Sequence, residues 1–143
     1  MGMRDTSGFG DSKVKRSKSK ISFQDALVKQ RLEVVRRLRG NDDYVMAEME
    51  LSRLHQDFPE NPTVLYEITK LWNQGNKHRL TIEALGSIAS IDKMPAMLLF
   101  NLASARHALG QKEAAIILYE RVLLLEPANE SAMCNLANCF HEN

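Results

Sequence analysis

Pro59 and Pro127 each follow a leucine-rich stretch, and their separation is twice a 34-residue period. With blocks starting at Val28, Pro62, Ala96 and Glu130, the chain aligns with itself without a gap. In the first half of each block, Val34, Ile68, Leu102 and Leu136 share a column. In the second half Ala47, Thr81 and Ala115 share one, followed by Leu51, Leu85 and Tyr119, then by Leu54, Ile88 and Val122. The closing column reads Pro59, Lys93, Pro127. Large apolar side chains at three- and four-residue spacing make one face of an amphipathic helix, and small residues recur where two helices must approach closely. A period of this kind is a unit that cannot bury its face alone, so the chain is constrained to a stack of like units.

Each block divides into two helices. Glycine lies near the break every time, at Gly40, Gly75 and Gly110, where a left-handed helix terminus costs glycine little. Pro59 and Pro62 stop one helix and start the next, and Pro95 opens the third block at a position helices tolerate. Helices are therefore expected over residues 23–39, 43–57, 62–74, 78–91, 95–109, 112–125 and 129–141, the first capped by Ser22 with Asp25 three residues on. Nothing reads as a strand, and the expected fold class is all-α.

Composition sets the outer limits. The 143 residues are 44% hydrophobic, which excludes wholesale disorder, and carry a formal net charge of +1, which removes the electrostatic argument for a nucleic-acid partner. That charge is divided: residues 1–20 balance to +4 and the remaining 123 to −3. The basic stretch is poor in large apolar residues and cannot offset its ordering entropy, so it reads as a disordered, solvated tail ahead of a helical domain over 21–143. No apolar run approaches the ~20 residues of a membrane helix, and no secretory signal opens the chain. Two cysteines make no disulfide scaffold, so a cytoplasmic location is expected.

The run Asn101-Leu102-Ala103, then Ala108-Leu109-Gly110, Ala115, Tyr119, Leu123 and Pro127, resembles a tetratricopeptide repeat. Block 96–129 matches that family's pattern at Leu99, Leu102, Ala103, Ala115, Tyr119 and Pro127 and departs from it at Arg106 and Val122. Block 62–95 offers Leu65, Ile68 and Trp72 but lacks the alanine and the proline, and block 28–61 keeps Ala47 and Pro59 with Arg31 at its fourth position. The resemblance covers about 28–141. It implies a right-handed superhelical stack of antiparallel helix pairs, about three and a half units and seven helices, closing with a half repeat over 130–143.

By the same resemblance, the first helix of each pair lines a concave groove. The first block would supply Lys29, Glu33, Arg36 and Arg39, and the second Tyr66, Glu67, Lys70 and Asn73. The third adds Met97, Phe100, Asn101, Ser104 and His107, and the fourth Ser131, Cys134, Asn135, Asn138 and His141. Arg36, Tyr66, Lys70, Asn73, Asn101, Ser104, His107, Asn135 and Asn138 are the expected peptide-binding set. Asn101 and Asn135 repeat at the 34-residue spacing, and an asparagine can pair with both groups of a peptide unit. The Asn-Leu-Ala element is similar to the repeats of O-linked N-acetylglucosamine transferases, whose asparagine ladder holds peptides, here with two rungs because the earlier position is Glu67. The alternative is that these asparagines bond a neighbouring helix. Glu67 also disfavours the chaperone C-terminal carboxylate that some members of the family clamp.

Residues for chemistry are scarce. Gly8 and Gly10 lead into no strand–helix unit, and the four histidines make no two-His zinc motif. Cys134 and Cys139 point about 140° apart on one helix. No catalytic residue, metal or cofactor is expected. Helix 129–141 has an apolar face in Met133, Leu136, Ala137 and Phe140, suited to self-association or to another protein. The leading expectation is a non-catalytic scaffold for a partner peptide. The alternatives are an interaction domain in front of a larger enzyme, such as a sulfotransferase or glycosyltransferase, and a type III secretion chaperone.

Overall fold

The computed structural model describes residues 23–87 and 90–141, and among them the regular elements are seven α-helices and one 3-10 turn, with no strand. The basic tail, the Ser22 cap and the column position of Ile88 lie outside the described residues. No helix among the described residues is long and apolar enough to cross a membrane.

The described residues divide into two compact units, one ending at Glu50 and the other starting at Leu51. The first contains α1, residues 23–40, and the start of α2, Tyr44–Asp57. Helix α1 buries Val28, Leu32 and Val35. The repeat column had placed Val34 inward, yet it is 42% exposed. Val35 stands seven residues beyond Val28 and so shares its stripe, whereas Val34 lies about 100° further round the helix.

The second unit holds the end of α2, then α3 (Pro62–Gln74), α4 (His78–Gly86), the 3-10 turn Ile91–Lys93, α5 (Ala96–Ala108), α6 (Lys112–Leu125) and α7 (Glu130–His141). Helix α4 stops five residues short of the expected end at 91. Gly86 and Ser87 are weak helix formers, and the Ser87 hydroxyl donates to the Ala84 carbonyl at 3.1 Å instead of continuing the ladder. Further on, Pro95 excludes the helical region for Met94, whose ψ is 134°.

Helices α1, α3 and α5 end in the same hydrogen-bond pattern. Asp43, Lys77 and Gln111 N–H groups reach back five residues to Leu38, Trp72 and Arg106, at 2.8, 2.7 and 2.8 Å. Asp42, Asn76 and Gly110, one position earlier, take positive φ of 61°, 60° and 79°. This is the Schellman terminus, recurring once in each of the three full 34-residue blocks. The glycines expected there were Gly40, Gly75 and Gly110, and only Gly110 takes the left-handed conformation. Aspartate and asparagine tolerate that region well enough to serve at the other two.

Starts are fixed as locally as ends. Asn61 Oδ1 accepts from Thr63 and Val64 N–H at 3.0 and 3.2 Å ahead of Pro62, and Asn129 Oδ1 accepts from Ala132 N–H at 3.0 Å. In the second unit α3 packs on α4 and α5, α5 on α6, and α7 on α6 and α5. Their core joins Leu65, Leu85, Leu99, Leu102, Ala115, Tyr119, Val122 and Cys139. Two second-half columns are buried throughout: Ala47, Thr81 and Ala115, then Leu51, Leu85 and Tyr119, are all at most 1% exposed, whereas the closing column of Pro59, Lys93 and Pro127 is exposed.

Candidate functional site

Residues 97, 100, 101 and 104 on α5 follow helical spacing, so they form one stripe, and 66, 70 and 73 do the same on α3. These stripes border a cavity of about 280 Å³. Helix α3 contributes Tyr66 and Lys70, α5 contributes Met97, Phe100 and Asn101, and α7 contributes Ser131. Tyr66 and Phe100 stand one repeat apart, as do Met97 and Ser131. The wall is completed by Glu126 and Asn129 from the α6–α7 turn. Sequence reasoning missed these two because a turn carries no periodic pattern; their one legible sign was position, just ahead of a helix start.

The charged and aromatic groups are partly ordered by each other. Lys70 Nζ sits 5.8 Å from the centre of the Tyr66 ring, a cation–π distance. Phe100 meets Tyr119 edge to face with centroids 5.7 Å apart. Below them the Tyr119 hydroxyl lies 3.1 Å from Ser104 Oγ and accepts from Asn135 Nδ2 at 3.3 Å. Burial raises the Tyr119 pKa above its ordinary value; the bonds to Ser104 and Asn135 act the other way, and Cys139 adds to the rise. The hydroxyl is a structural hub.

Asn101 does not offer a free amide to the cavity. It is 6% exposed, and its Nδ2 donates to the Tyr66 carbonyl at 3.2 Å and to Thr69 Oγ1 at 2.9 Å. Thr69 in turn donates to the Leu65 carbonyl at 2.6 Å. Asn73 completes the bracket from the other side, donating to the Asn101 carbonyl at 3.0 Å and accepting from Thr81 Oγ1 at 3.0 Å. The expected two-rung ladder is therefore replaced, at Asn101, by a clip between α3 and α5. Asn135 does not repeat the clip: the counterpart of Thr69 is Ala103, which has no side-chain acceptor, and Asn135 turns to Tyr119 instead.

Of the other expected site residues, Lys70 and Asn138 are exposed and His107 is half-buried. Arg36 is exposed on α1 in the first unit. Trp72 is half-buried, its ring edge-on to His55 at 5.7 Å. Cys134 is exposed and Cys139 buried, both as free thiols. Among the described residues no group of three His, Cys, Asp or Glu side chains could hold a metal ion. No protein-family model and no curated protein matches this chain.

Proposed function

We propose that this chain is a non-catalytic interaction module of the tetratricopeptide type, which binds a peptide segment of a partner protein along the α3–α5–α7 face. The observation that carries the reading is the cavity between those helices, because six of its lining residues occupy positions expected to face a groove. The repeat reading is supported by buried columns at 34-residue spacing and by left-handed helix ends at 42, 76 and 110. In this reading the helices pair antiparallel and stack as a right-handed superhelix, and the odd-numbered helices line its inner side. The two free thiols suit a cytoplasmic setting.

The cavity's chemistry specifies its occupant. Tyr66, Met97 and Phe100 give the cavity an apolar lining for a large side chain, while Lys70 and Glu126 bring opposite charges to it. Methionine and aromatic rings adapt to such a guest with little reorganisation. With the Asn101 amide committed to α3, and Asn129 committed to Ala132 N–H and Glu126 Oε1, backbone recognition is left to Ser131 and Asn138.

A displayed-peptide selection against the full chain tests the proposal. Selected peptides should carry a large apolar anchor. Their affinity should fall by about tenfold or more in Met97→Asp and Lys70→Glu while the melting temperature holds, as expected for an interface anchor. Peptides that bind both variants as tightly as the parent would overturn it.

A further inference from the structure

Helix α7 carries an exposed apolar stripe that the peptide reading does not use. Met133 is 45% and Phe140 57% exposed, Ala137 is exposed between them, and Leu136 is half-buried. Ala132 and Cys139, about 100° further round the helix, are held in the core. One repeat earlier, Leu99 and Ala103 stand in the register of Met133 and Ala137, and both are 0% exposed. The stripe thus has the composition of a surface that another helix covers.

The geometry points to a second copy of the same helix as that cover, crossing α7 antiparallel about a two-fold axis near Ala137. A two-fold interface must be self-complementary, and this stripe is. Its centre is the small Ala137, which lets two helices approach to ~8 Å. Met133 and Phe140 stand four residues before and three after it, so each meets the other type across the axis. Taking 100° per residue, Glu130 and His141 fall on one flank of the stripe, at opposite ends of the helix. In an antiparallel pair that flank places Glu130 of one copy beside His141 of the other, twice, and the two helix dipoles oppose. An unrelated apolar helix would satisfy the stripe alone; it has no reason to match Glu130 and His141 along its flank.

Sedimentation of the full chain across micromolar to submillimolar concentration reads the association. A monomer–dimer equilibrium is expected, with its dissociation constant raised about tenfold or more by Phe140→Asp. A second measurement removes no apolar surface: in a Cys134→Ser background, Ala137→Cys should cross-link to dimer on mild oxidation while Asn138→Cys should not. A monomer at every concentration, or a dimer untouched by Phe140→Asp, would overturn the inference. So would equal cross-linking at the two cysteine positions, or a monomer whose stripe is taken by an unrelated apolar helix.

Discussion

Asn101 shows how one side chain can be legible in type and not in role. Its recurrence with Asn135 made it a candidate for holding a peptide backbone, and its type suits that task. In the structure the nearest partners for its amide hydrogens are the Tyr66 carbonyl and Thr69 Oγ1 on α3, and they take both. Nothing in the α5 sequence announces this, since the acceptor lies on another helix of the fold. The consequence is a stability effect rather than an affinity effect. Asn101→Ala should cost about 1–3 kcal/mol, because it strips a buried hydroxyl and a carbonyl of a shared donor. Asn135→Ala should cost less than about 1 kcal/mol, since Tyr119 keeps Ser104. Denaturant midpoints at constant slope compare the two; equal costs would refute the clip.

The helix ends carry the element-scale lesson. Glycine is the expected signal of a left-handed terminus, and Gly75 and Gly40 drew the expectation to the wrong positions. The column is Asp42, Asn76, Gly110, set by where the five-residue return bond closes. Gly75 has φ −91°, and an added Cβ would lie 3.5 Å from the Leu71 carbonyl, an ordinary contact. Gly75→Ala should therefore leave stability unchanged or raise it by about 0.5 kcal/mol. Gly110→Ala, at φ +79°, should lower stability by about 1 kcal/mol or more. Paired thermal melts decide this, and the reverse order would count against the assigned termini.

Across the second unit, stability should also depend on pH through His55. Its Nδ1 is buried without a hydrogen-bond partner and its ring stands edge-on to Trp72, so desolvation lowers its pKa below the ordinary 6.5. The unfolded chain then takes up a proton more readily than the fold. Stability is fully present above 6.5 and is lost as pH falls from there through the folded-state pKa. His55→Phe keeps an edge-on ring and removes the titration. Its melting temperature should fall less than the parent's between pH 7 and the carboxylate range, and parallel curves would exclude His55 as the source.

The sequence by itself determined the helical class, the 34-residue period and the small and large columns that end up buried, because these rest on local spacing and on which side chains avoid water. It also placed α2, α3, α5, α6 and α7 to within a residue or two at both ends, from caps and prolines acting within one turn; α4 fell short where Gly86 and Ser87 weaken the ladder. Tertiary structure alone decided that Asn101 and Asn73 tie α3 to α5, and that the α6–α7 turn closes the cavity. Each of those depends on a partner many residues distant, and a hydrogen bond or a packed contact is chosen only when two elements meet.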